Sequence, residues 1–119
     1  MKIILHITER KQWEKAKLNG IYHSDTLGSQ GFIHCSNPQQ VVKVANVLFH
    51  AREGLVLLCI ETDKVRCEIR YEGITEGEKY PHIYGPLNID AVITVLDFKP
   101  QRDGKFALPK AIFNIEDRH

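Results

Sequence analysis

The chain has 119 residues, the size of one ordinary domain and enough to bury a core without staples. Its 16 basic and 15 acidic residues are scattered and leave a net charge of +1, so no basic stripe offers itself to a nucleic-acid duplex. Three cysteines, an odd number, argue against a secreted disulfide framework, and no run approaches the roughly 20 apolar residues of a membrane span. Met1 to Leu5 is too short an apolar core for a signal peptide. The expectation is a cytoplasmic protein with one domain over residues 1–119. Cys59 and Cys67 can face each other across a hairpin, but two reduced, buried thiols are the reading taken.

Lys2 to Ile7 is apolar and predicts a buried first strand. Thr8 and Glu9 are an N-cap and a first-turn acid for a helix that buries Trp13 and Ala16 and stops at Asn19-Gly20. Tyr22 to Gln30 is polar. Gly31 to Ser36 reads as a short strand that runs into Asn37-Pro38, a cap and first helical residue, with Gln40 completing a capping box. Val41, Val44, Ala45, Leu48 and Phe49 then fall on one helical face.

Leu55 to Thr62 is a dense apolar strand with a turn at Asp63-Lys64. Cys67, Ile69 and Tyr71 alternate with charged residues as one side of a half-buried strand. A polar loop spans Gly73 to Lys79. Tyr80 to Leu87 carries Pro81 and Pro86, which predicts an edge or loop, because proline gives nothing to a ladder. Asp90 to Phe98 is a strong strand, and a last short one is expected near Phe106. Two early helices and several later strands make an α+β fold with a mainly antiparallel sheet.

Two histidine clusters stand out. His34 and Ser36 share a strand face, while Cys35 points away into the core and is a poor candidate nucleophile. A histidine, a hydroxyl and a helix N-terminus together suit a phosphate or carboxylate. The plainer reading is that Ser36 caps the helix and His34 is a satisfied, partly buried residue. In the second cluster, Tyr80, His82 and Tyr84 point the same way if the segment is extended, which suits a planar ring. The plainer reading there is a rigid turn whose aromatics cover the core edge.

His6 has the parity of Ile4 rather than of Ile3 and Leu5, so it faces a different side from those two. His23, His50 and His119 have no supporting context and read as surface. His6, His34 and His82 have no local ligand spacing that demands zinc, so no metal is expected. Glu72 closes the polar side of its strand, as a candidate general base or a solvated carboxylate.

The segment Gly31-Phe32-Ile33-His34-Cys35-Ser36, followed by Gln40 and Ala45-Asn46, resembles one signature of a bacterial family, domain of unknown function 952. Tyr80-Pro81-His82-Ile83-Tyr84-Gly85-Pro86-Leu87 resembles its second signature. His6, Trp13, Ala16, Gly20, Tyr22 and Glu72 fit the rest of the pattern, over roughly Met1 to Phe98. The resemblance implies a fold related to the ADP-ribosyltransferases, including the NAD-using RNA 2′-phosphotransferases. It implies NAD as a substrate in a cleft between the His34 strand and the Tyr80–Pro86 loop.

On that resemblance His34, His82 and Glu72 are the catalytic candidates. His6, Ser36, Tyr80, Tyr84 and Gly85 are the nucleotide-binding ones. The arginines that the phosphotransferases use for phosphate have no clear counterparts, Arg10 and Arg52 reading as helix surface. The partner class is a small nucleotide or anionic metabolite, with no duplex nucleic acid and no membrane. The alternative to an enzyme is a non-catalytic module that binds a small metabolite or a protein through the same cleft.

Overall fold

The computed structural model describes residues 2–73 and 77–116. The middle of the expected Gly73–Lys79 loop and His119 lie outside the described residues. Strand β1 (Ile3–Glu9) leads into helix α1 (Arg10–Asn19), strand β2 (Ile21–Tyr22), helix α2 (Asp25–Gln30) and strand β3 (Ile33–His34). Helix α3 (Val41–Leu48) and strands β4 (Leu55–Glu61), β5 (Glu68–Glu72) and β6 (Tyr80–Tyr84) follow. Strands β7 (Leu87–Asn88) and β8 (Val92–Phe98) and helix α4 (Ala111–Glu116) complete the described residues. Among the described residues every strand pairing is antiparallel: β1-β4-β8, β2-β7 and β3-β6-β5. The expected α+β class with antiparallel sheets is what the chain adopts.

Strand β4 explains the layering. It is the middle strand of its sheet, and Leu55 to Ile60 are buried on both faces, so an unbroken apolar run fits where an alternating one would not. Val56, Leu58 and Ile60 pack with Ile4, with Trp13 and Ala16 of α1, and with Ile33 and Ile83 of the β3-β6-β5 sheet. Leu55, Leu57 and Cys59 pack on the opposite side with Ile3 and Leu5, with Val41 and Ala45 of α3, and with Phe98, Phe106 and Ile112. The radius of gyration is 13.6 Å, matching the roughly 13.5 Å of a compact chain this long. No described helix is long and apolar enough to cross a membrane.

Several local expectations give way to tertiary pairing. Thr8 caps nothing: β1 continues through it, because Thr8 and Glu9 stay in register with Val56 and Leu55. The polar stretch holds α2, which has no buried residue and so no apolar stripe to announce it. Helix α3 begins at Val41 rather than Pro38, after a turn in which the Gln40 side chain accepts the Asn37 N–H at 2.9 Å. Phe106 is buried against Phe98, ring centroids 4.6 Å apart, but sits in coil before α4 rather than in a strand. Cys59 and Cys67 pack in separate clusters and are free thiols, Cys67 only half-buried.

The largest correction is β6, which is the middle strand of its sheet rather than an edge. Pro81 is tolerated there for a geometric reason. In an antiparallel strand a residue's N–H and C=O face the same neighbour. The Pro81 carbonyl accepts the Cys35 N–H at 3.0 Å, so its missing N–H would have faced the same side, where β3 has already ended.

Candidate functional site

The cleft forms where two sheets part. Edge strand β1 and the end of β3 meet at one bridge, with Leu5 and Ser36 exchanging both backbone hydrogen bonds at 2.7 and 2.8 Å. Beyond it β1 runs on through His6 to Glu9 while β3 runs back toward Phe32. The opening between them holds about 740 Å³. Since Leu5 turns its N–H and C=O outward to Ser36, Ile7, two residues on, turns its own to the same open edge.

His6 closes the bottom. Its Nδ1–H donates to the His34 carbonyl across the parting strands, and its Nε2 lies 2.8 Å from the Tyr22 hydroxyl. That hydroxyl lies 2.9 Å from Thr8 Oγ1. Burial pushes the His6 imidazole down to about 4 and the Tyr22 phenol up to about 12, so both are neutral at pH 7. Sequence parity had already turned His6 away from Leu5. Its complete set of partners makes it a brace between β1 and β3.

His34 and His82 stand directly opposite each other across β3 and β6, ring centroids 5.3 Å apart. His34 is exposed, and its Nε2–H donates to Gln30 Oε1 of α2 at 2.9 Å. Burial, and then His82 beside it, holds the His34 imidazole below its ordinary range. His82 donates from Nδ1 to Glu72 Oε1 at 2.9 Å, which leaves Nε2 as its basic nitrogen. Tyr84 donates to the same carboxylate oxygen. Those two hydrogen bonds, Tyr84 first, hold Glu72 below the usual carboxylate range, and the Glu72 carboxylate pushes the Tyr84 phenol up. Glu72 is therefore an ionised group that orients the His82 ring.

Phe32, two residues before His34 on the same face, lies over His82 with centroids 4.1 Å apart and planes at 19°. It also touches His34 and Tyr84 edge-on or tilted, at 4.7 and 5.2 Å. Arg70 covers the Tyr84 ring at 4.4 Å. The row fixes the plane of His82 as firmly as Glu72 fixes its tautomer. Phe32 and Gln30 were not among the candidates; strand parity would have found Phe32, but nothing local signals Gln30.

The remaining candidates divide. Tyr80 lines the cleft, its hydroxyl donating to Glu78 at 3.1 Å, whereas Tyr84 sits behind Glu72. Ser36 acts through its backbone, and its hydroxyl has no hydrogen-bond partner among the described residues. Gly85 lies away from the cleft, where an added Cβ would meet Cys67 Sγ at 2.4 Å. Cys35 is buried and its thiol is pushed up by burial, as its predicted inward face requires. His23 and His50 are exposed. Among the described residues no group of three metal-ligating side chains forms.

The other end of the cleft is apolar. Ile7, Val44, Leu48, Phe49 and Leu55 line it, with Arg52 and Glu9 at its rim. The predicted core face is thus split: Val41 and Ala45 of α3 go into the core, Val44 and Leu48 turn to the cleft, and Phe49, just past the helix, packs on the core while also lining the cleft.

Residues 7–95 match a family described as protein of unknown function (DUF952). The chain is also similar to protein CC0527 from Caulobacter crescentus. Its crystal structure superposes with a TM-score of 0.82 at 30% identity over 90% of this chain and 95% of that one. Its solution structure gives 0.77 at 31% identity over 88% and 91%. No curated protein matches the chain.

Proposed function

We propose, for a chain that belongs to the DUF952 family, that the cleft binds a nucleotide of the NAD type and transfers its ADP-ribosyl group, as an ADP-ribosyltransferase-like enzyme. The observation that carries this reading is the Glu72–His82 pair beside His34 at the head of the cleft. Breaking the bond between ribose and nicotinamide puts positive charge on the sugar. The ionised Glu72 is a fixed negative charge of the kind that stabilises such a centre. The electron pair of the broken bond leaves with nicotinamide, the acceptor's nucleophile bonds to the sugar carbon, and the acceptor's proton passes to His82 Nε2. Phe32 and Tyr80 supply flat faces for the departing ring. Three free thiols fit the reducing cytoplasm.

Thermal unfolding with NAD, ADP-ribose, nicotinamide and simple phosphates tests the reading. NAD or ADP-ribose should raise the melting temperature of the wild type and not of His34→Ala, and nicotinamide should be released when an acceptor is present. No shift with any nucleotide removes the reading. A second reading, a non-catalytic binding module, is favoured by the apolar half of the cleft, which no chemical step requires. It predicts stabilisation by ligand with NAD left intact.

A further inference from the structure

We propose that Val44, Leu48, Phe49, Arg52 and Leu55 form a second subsite, which takes the planar, phosphate-bearing end of a ligand whose hydrogen-bond donors face the histidines. The inference rests on the nucleotide reading and fixes the direction in which the nucleotide lies.

At the histidine end the imidazole N–H groups are already committed. His82 spends its N–H on Glu72, His34 spends its N–H on Gln30, and His6 has both nitrogens engaged. What His34 and His82 leave over is one lone pair each, beside the carboxylates of Glu72 and Asp25. Lone pairs and carboxylates accept from hydroxyl and amide groups and repel phosphate. Among the described residues, no lysine or arginine lines that end. The expected anion site at the start of α3 is also closed. The N–H groups of Gln40 and Val41 go to the Asn37 carbonyl, and the Asn37 N–H goes to Gln40 Oε1.

The far end has the opposite character. Arg52 is the one cationic side chain among the described residues that line the cleft. Its guanidinium carbon lies 5.5 Å from the Phe49 ring centroid, and its partner Glu9 is 3.3 Å away. Both members of that pair are about half exposed, 48% and 45%, so the contact is one that solvent already weakens and a phosphate can replace. Apolar side chains beside a guanidinium suit a flat ring joined to an anion. The turn that carries Arg52 is also held in place. Ala51 adopts a left-handed φ of 62°, and its N–H donates to the Gly104 carbonyl at 2.8 Å. Gly104 itself takes a left-handed φ of 83°, which favours glycine there.

Chemical-shift titration of labelled protein with adenosine monophosphate, nicotinamide and NAD is the test. Adenosine monophosphate should move the amide signals of Phe49, Arg52 and Leu55, nicotinamide those of His34 and His82, and NAD both sets. Arg52→Ala should weaken adenosine monophosphate about tenfold, Arg52→Lys less, and nicotinamide in neither case. The subsite falls, while the nucleotide reading stands, if NAD binds but adenosine monophosphate perturbs the histidine end, or binds Arg52→Ala like the wild type. If none of the three moves any signal, both fall together.

Discussion

His6 and the His34/His82 pair share a residue type and one end of the cleft, yet they are built for opposite work. His6 is 7% exposed, and both its nitrogens are engaged with partners on other strands. His34 and His82 each spend one nitrogen on a positioning group and keep the other free. A histidine with no free nitrogen fixes geometry, whereas one with a single oriented lone pair can take a proton or a hydrogen bond. The division follows from where the two sheets part: His6 lies under the junction, and the pair lies above it.

The comparison breaks most visibly in stability. His6→Ala should cost about 3 kcal/mol, because it opens a buried cavity, strands the His34 carbonyl and leaves the Tyr22 hydroxyl with Thr8 alone. His34→Ala should cost less than about 1 kcal/mol, as an exposed residue. Urea unfolding of the two variants checks the contrast, and equal losses would dissolve it.

Acid should sharpen it. The folded imidazole of His6 lies near 4 against an ordinary 6.5, so the unfolded chain binds the proton more readily. The stabilisation from keeping it neutral is complete above about pH 6.5 and is lost as pH falls toward 4, on the order of 3 kcal/mol. The lowered His34 acts with the same sign. In Tyr22→Phe, which removes one partner of His6, the shape of this acid loss should change, while in His34→Ala most of it should persist.

Smaller effects concern the tautomers. With Glu72→Gln, nitrogen NMR should show His82 losing its single Nδ1–H form, because the carboxylate that requires it is gone. The smallest change belongs to Gln30→Ala. It should leave stability within a few tenths of a kcal/mol and mix the His34 tautomers while His82 stays fixed.

Much of this arrangement was legible as strand parity. Period two put Tyr80, His82 and Tyr84 on one face, turned His6 from Leu5 and sent Cys35 inward, because alternation is a local property of extended chain. What failed was non-local. Pro81 made β6 look like an edge, since only the early end of β3, a feature of a different segment, makes the proline harmless. Thr8 had the chemistry of a cap but was claimed by Val56 across the ladder. The anion site was inferred from a strand running straight into a helix, and the turn at 38–40 removes it. Gln30 could not be seen at all, because its role depends on α2, which has no apolar period.

Ser36 shows how a site position can be held without its side chain. It joined the candidates for its hydroxyl, but the fold uses its amide and carbonyl, which couple the two sheets to Leu5. Alanine or threonine would serve as well at that coupling, and proline, lacking the amide, would not. The cleft thus has a hinge pin made of main chain, at a buried position that asks only for a small side chain and an amide able to close one pair of hydrogen bonds.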